Sequence, residues 1–278
     1  MKMLSPEARM VTRIIDKNLL RRRLARAHSR RVPGGDFLLA HVTAELVERV
    51  VATDRHYEIA VAHGGQSDAL AQPLVDTGKI GSLFRVEQTH RSLAGARFAS
   101  AVADEEALPL GLASVDLLVS SLALQWSNDL PGALIQMRRA LKPDGLFLAA
   151  LTGGNTLAEL REVFFEAETE IMGGASPRVM PAADIRDLGA LLQRAGFALP
   201  VADRDVLTIR YATVFDLFRD LRAMGATTAL VERSRRPAHR KLFARAAEIY
   251  AERFTDSDGR IRATFEIVFL SGRAPAPR

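Results

Sequence analysis

The chain contains no cysteine. That excludes disulfides, cysteine-ligated zinc, thiol nucleophiles and cysteine-bound iron–sulfur clusters, and it fits a reducing compartment. Long apolar runs are also missing, and none approaches the roughly 20 residues that a membrane-spanning helix needs. There is no internal repeat and no low-complexity block. Tryptophan occurs once, at Trp126. Acidic residues are scarce in one place: residues 1–31 hold ten Lys/Arg against only Glu7 and Asp16. That segment is net +8, so the remainder of a chain of formal charge +5 is net −3.

What is present is a core-forming composition: 278 residues, 48% hydrophobic, enough for one large domain or one domain with a lid. The organising stretch is 115–151, VDLLVSSLALQWSNDLPGALIQMRRALKPDGLFLAAL. Residues 115–122 are short enough for a strand and lack alternation, which predicts burial on both faces. Ser127, Asn128 and Asp129 offer helix N-cap chemistry, and Pro131 sits in the first turn, where its missing N–H costs nothing. Leu130, Leu134, Met137 and Leu141 fall on one helix face. Lys142-Pro143-Asp144-Gly145 predicts a type I turn, and 146–151 a second buried strand. Strand, helix, turn and strand make a βαβ unit, which builds parallel sheets.

The rest of the chain continues this alternation. A basic helix is expected over 8–30, broken by Arg31-Val32-Pro33-Gly34-Gly35-Asp36, and an amphipathic helix over 37–51. Strands are expected at 57–63, 83–87, 98–103, within 199–210 and at 264–270. Further helices are expected at 68–75, from a cap at Asn155 or Thr156 to about 172, at 184–195 closed by Gly196, at 214–224 and at 238–253. The last two read as a lid. The basic N-terminal helix also suits a targeting peptide, although Ile14, Ile15, Leu19 and Leu20 give it a packing face.

The strand ending SSLALQW, the following ND and the helix closing on LKPDG resemble the fourth strand, helix and turn of the class I S-adenosylmethionine (SAM)-dependent methyltransferases. The resemblance implies an α/β, doubly wound, Rossmann-like sheet of seven strands, the last one antiparallel. It divides the chain into a basic helical extension at 1–50, a methyltransferase-like domain at 51–272 with lid helices at about 212–253, and a tail at 273–278. It implies SAM as cofactor. Gly64, Gly65 and Gln66 would form the glycine loop, where backbone approaches the methionine end closely. This loop departs from the family's D-x-G-x-G-x-G: Ala62 stands at the acidic position, and Gln66 and Asp68 replace later glycines. Glu87, ending the second strand, would accept from ribose hydroxyls. In ADEEALP, Asp104 and then Glu105 would serve the adenine amino group, and Ser121 at the end of the fourth strand joins the same set. Gln125 and Trp126 would border the substrate, because open α/β sheets bind ligands beyond the carboxyl ends of their strands.

Longer runs narrow the resemblance. SSLALQWSNDLPGAL, LKPDGLFLAALTGGNTLAELR, AETEIMGGASPRVMP, DLGALLQRAGF, FDLFRDLRAMGAT and DSDGRIRATFEIVFLSG are similar to the mitochondrial complex I assembly factor 5 family and its bacterial relatives, over about residues 80–272. The malonyl carrier protein methyltransferases of biotin synthesis are more distant. The resemblance implies a protein or carrier-protein substrate, of which an arginine on an iron–sulfur subunit of complex I is the assembly-factor type. It implies a bacterial cytoplasmic or mitochondrial-matrix setting. A non-catalytic assembly factor with a degraded SAM loop is the alternative.

Methyl transfer needs alignment more than acid–base groups, so no catalytic residue is assigned. An iron hydroxylase would need two His and a carboxylate. Of His28, His41, His56, His63, His90 and His239, only His56-Tyr57-Glu58 has a suggestive spacing, and its place before the first strand reads as a surface pair; no metal is expected. Arg21, Arg22 and Arg23 cover nearly a full helical turn, and arginine grips carboxylates in bidentate fashion. They are expected to hold a protein substrate or an acidic carrier near the open ends of the fourth and fifth strands. Nucleic acid is the weaker alternative, because no aromatic-interleaved basic patch is present.

Overall fold

A computed structural model describes residues 13–235 and 237–276. One seven-stranded sheet runs in the order β3-β2-β1-β4-β5-β7-β6. β1 (Tyr57–Gly64), β2 (Ile80–Glu87), β3 (Ala99–Val102), β4 (Val115–Ser121) and β5 (Leu141–Thr152) are parallel. β7 (Ile261–Arg273) lies antiparallel between β5 and β6 (Ala198–Tyr211). This is the expected doubly wound sheet. Chain order reverses between β1 and β4, so a crevice opens past their carboxyl ends.

The absence of alternation in the central strands has the expected cause: both faces are covered. Ala60, Ala62, Leu117 and Val119 pack under α2 (Phe37–Val51), α5 (Ala158–Met172), α7 (Val214–Ala223) and α8 (Arg240–Phe254). Val61, Leu118, Phe147 and Ala149 pack under α4 (Leu130–Ala140) and α6 (Ile185–Arg194). Phe147 stacks on Phe197 with ring centroids 4.9 Å apart. The short α3 (Ala71–Asp76) follows the glycine loop. Among the described residues no helix is long and apolar enough to cross a membrane.

Three local expectations are corrected. The basic helix α1 is Lys17–Arg30 and does not begin near residue 8; residues 8–12 lie outside the described ones. Asp16 caps it through the Leu19 N–H at 2.9 Å. The residues before the cap are extended because the Asn128 side chain accepts from the N–H groups of Ile14 (2.8 Å) and Ile15 (2.7 Å), and Ile15 bridges Leu230. The expected type I turn at Lys142–Gly145 lies instead inside β5, as an irregularity: its pairing with β4 passes from Leu141 opposite Val115 to Leu146 opposite Leu117, and Asp144 has φ +62°, which type I does not allow. Gly145 is needed there, since a Cβ would lie 2.8 Å from the Lys142 carbonyl oxygen. Neither Asn155 nor Thr156 caps α5. Leu157 holds the cap position at φ +54°, because Asn155 Nδ2 donates to Glu266 Oε2 (2.7 Å) and Thr156 Oγ1 to the Glu266 carbonyl (2.8 Å).

α1 lies across the carboxyl end of the sheet, and charge fastens it. Lys17 Nζ donates to Asp104 Oδ1 at 3.0 Å, lies 3.1 Å from Glu106 Oε1, and has Glu105 as its nearest partner. Arg21 Nη2 donates to Asp104 Oδ2 at 2.7 Å. Burial pulls the Lys17 ammonium down, yet Glu105 and Asp104 together raise it above its ordinary value. Leu20 and Leu24 pack against Trp126 and Ala229. Lys17→Met leaves Glu105, 1% exposed, buried beside Asp104 without its cation. The expected cost is about 3 kcal/mol in urea unfolding, with faster proteolysis within α1 and partial retention by Lys17→Arg. Unchanged stability and cleavage would show that the cluster does not hold the helix.

Candidate active site

β1 ends on His63 and Gly64, and the chain leaves the sheet through Gly64, Gly65 and Gln66 with φ of +77°, +102° and +55°. Position 64 must be glycine for a second reason: a Cβ there would sit 2.6 Å from the Ser121 carbonyl oxygen. At Gly65 it would sit 2.9 Å from Leu70 Cβ. The loop therefore presses against the end of β4. Gln66 keeps the left-handed conformation without being glycine, and its Nε2 donates to the Met224 carbonyl at 3.3 Å. Asp68 is paired with the buried Arg85 (2.6 Å) and the exposed Arg97 (3.3 Å).

A cavity of about 710 Å³ lies over this loop. Gly64, Gly65, Gln66, Glu87, Ser121 and Gln125 line its sheet side, and Leu24, Ala27 and His28 of α1 line the opposite side. An apolar wall continues through Leu160, Phe164, Phe218, Phe243 and Phe265. His28 Nε2, Ser121 Oγ, Gln125 Oε1 and Thr228 Oγ1, all on lining residues, are buried without a hydrogen-bond partner. Buried polar atoms are nearly always paired, so four orphans from three chain segments around one cavity mark a place for a polar ligand.

Glu87 ends β2 and lines this cavity at 2% exposure. Burial pushes its carboxyl up to about 7, although Arg85 Nη2 at 3.1 Å offsets part of that. Arg85 is itself buried, donating also to the Ser92 carbonyl at 3.0 Å.

The sequence-expected residues do not all come together. Gly64, Gly65, Gln66, Glu87, Ser121, Gln125 and Trp126 all meet at the cavity. Ala62 is buried in the core beneath the helices, with no polar atom to offer. Asp104 and Glu105 do not line the cavity; they grip Lys17, and Glu105 also accepts from Gln88 Nε2 at 2.8 Å. The arginine triplet also separates: Arg21 turns in to Asp104, Arg22 is exposed, and Arg23 is half-buried, its guanidinium held below its ordinary value by burial and then by Arg233. His56 Nε2 lies 3.9 Å from Glu58 with both exposed, a surface pair.

Two histidines were not singled out from the sequence. His28 follows Leu20 and Leu24 at helical spacing, a readable sign that it faces inward; burial and then Arg31 lower its pKa, so it stays neutral at pH 7 and can accept a proton or a hydrogen bond. His63 is fully buried, shares a 2.9 Å hydrogen bond with Ser120 Oγ, and is pushed down to about 4 by burial.

With this geometry in hand, similarity to known proteins decides the family. A methyltransferase domain model matches residues 34–149. The human protein named arginine-hydroxylase NDUFAF5, mitochondrial, is 38% identical over 242 residues, 85% of this chain and 70% of that one. The chain belongs to the class I SAM-dependent methyltransferase superfamily, alongside NDUFAF5. The malonyl-[acyl-carrier protein] O-methyltransferase of Gallionella capsiferriformans is 37% identical over 66% of this chain and 61% of its own length. The solved YcgJ protein of Bacillus subtilis superimposes with a TM-score of 0.59 over 85% of this chain and 99% of its own; at 14% identity it speaks to the fold alone.

Within this methyltransferase fold, Glu87 makes a prediction that needs no ligand. An acid raised from 4.5 to about 7 is protonated in the folded state at pH values where the unfolded chain is ionised. Its contribution to stability is full below the lower value and is lost as pH rises through the upper one. Unfolding free energy measured from about pH 4.5 to about pH 8 should fall less steeply in Glu87→Gln than in the wild type. Parallel curves would remove Glu87 as a buried, raised acid.

Proposed function

We propose that this chain is a SAM-binding enzyme that modifies a side chain of a protein substrate, of the kind its NDUFAF5 relatives are named for. The observation that carries the reading is the cavity at the β1/β4 switch point, with two sterically required glycines and Glu87 on its sheet side, in a chain so similar to an arginine hydroxylase. The residues fit the cofactor. The N–H groups of the Gly64–Gln66 loop suit its amino-acid end, and Glu87 suits ribose hydroxyls. Ser121 Oγ and Gln125 Oε1 have free hydrogen-bonding capacity beside them. Gln88 lines the cavity next to Glu87, while Asp104 and Glu105 serve that end by holding α1 over it.

When bound, SAM supplies a methyl group on a sulfonium, and its transfer rests on in-line alignment. The chain's contribution is enclosure and orientation. α1 and the phenylalanine wall exclude water, and neutral His28 can take up a proton from the target. A hydroxylation would in addition require an oxidant. The partner of this reading is an iron–sulfur subunit of complex I, and the setting is the mitochondrial matrix or a bacterial cytoplasm. A carrier-protein substrate follows the second relative, which is matched over less of its length.

One observation favours a second reading, a non-catalytic assembly factor: Ala62 stands where the family has an acid, and Gln66 and Asp68 stand where it has glycine. Calorimetry separates the two. SAM and its demethylated product should both bind, and Glu87→Ala should weaken them by roughly 1.5–3 kcal/mol, the worth of a charge-assisted hydrogen bond. Incubation with the complex I subunit and SAM should then add the mass of one methylene to a single arginine, or the mass of one oxygen where dioxygen and a reductant are also supplied. Absence of heat with either compound would support the non-catalytic reading.

A further inference from the structure

The outer face of α1 carries more positive charge than the fold uses. No acid occurs from Lys17 to Gly35, while seven Lys/Arg fall in 17–31. Lys17 and Arg21 are taken up by Asp104, Glu105 and Glu106. Arg23 is half-buried near Arg233. Arg22, Arg26 and Arg30 remain, all exposed and four residues apart, so they form one ridge along the helix. Arg31, which ends α1 at φ +40°, and Arg222 on α7 stand exposed where the cavity opens. Among the described residues, none of these five guanidinium groups has a hydrogen bond or an ion pair within the chain.

This arrangement works against the helix. Like charges four residues apart repel one another, and only cations in the last turn gain from the helix dipole. The opposite face of the same helix, with Leu24, Ala27 and His28, lines the cavity. A partner seated on the ridge would therefore lie beside the mouth. Nucleic acid fits less well: no Phe, Tyr or Trp for base stacking occurs from Lys17 to Asp36, and the chain beyond residue 31 is net −3.

We propose that Arg22, Arg26 and Arg30, with Arg31 and Arg222 at the rim, dock an acidic segment of the protein substrate and so set its target side chain over the cavity. The proposal rests on the reading of the cavity as a protein-modifying site. It replaces the expected Arg21–Arg23 grip by a ridge in which only Arg22 of that triplet takes part.

The probe is a synthetic glutamate-rich peptide bearing one photoreactive residue, used with the full chain. Affinity should fall with rising salt, and crosslinks should map to 22–31 and to the neighbourhood of Arg222. The triple variant Arg22→Ala, Arg26→Ala, Arg30→Ala should lose about tenfold or more, with circular dichroism reporting that it is folded. Crosslinks elsewhere on the wild type, equal binding by the folded triple variant, or tighter binding of a single-stranded oligonucleotide of matched charge would each overturn the proposal. Crosslink mapping on the wild type stands even if the variant does not fold. A wild type that takes the peptide on α1 yet binds no SAM product would sink the cofactor reading and leave the docking ridge standing.

Discussion

Lys17 sits among three carboxylates contributed by one short loop, and most of the site follows from that contact. The acids are partly or wholly buried, where like charges crowded together without a cation are costly. The cation comes from the first turn of α1, so satisfying the loop requires the helix to lie where it does. With the helix come Leu24, Ala27 and His28 on the cavity side. A strap before it, pinned by Asn128 and by the Ile15–Leu230 bridge, fixes the direction of entry. The roof of the cavity is thus an electrostatic consequence of a loop that the sheet presents.

The sheet side of the cavity depends on sterics instead. Gly64 and Gly65 allow the loop after β1 to touch β4 and α3, and any Cβ at position 64 would collide with backbone. The acid that ends β2 is left buried and raised, with Arg85 beside it. A polar ligand bringing hydroxyl donors would convert a destabilised carboxyl into a satisfied one. The four unpaired buried atoms around the same space tell the same story from the other side.

Much of this was legible in the residues. Strands buried on both faces read as unbroken apolar runs, and β4, α4 and β5 were placed within a residue or two, apart from the start of β5, because each carried its own signal: apolar length, an Asp129 cap with Pro131, a KPDG turn. Glu87 was legible because a strand end is a fixed place in this fold. Asp104 and Glu105 are expected at a ligand on the same positional reasoning, but the cations that hold them, Lys17 and Arg21, come from 83 or more residues earlier in the chain, and no local pattern reveals them as partners. The α5 cap failed for a similar reason: Asn155 and Thr156 have the right chemistry, but Glu266, 111 and 110 residues away, claims them first. Long-range pairing of polar side chains is what the sequence conceals.

α1 is thus the roof of a ligand site whose opposite wall is the glycine loop. Amide hydrogen exchange, followed with and without S-adenosylhomocysteine, tests it most directly. The ligand should slow exchange in two separate segments together, Lys17–Arg30 and residues 64–66, and leave β6 at the far edge of the sheet unaffected. Protection confined to the glycine loop, with α1 exchanging as before, would contradict it.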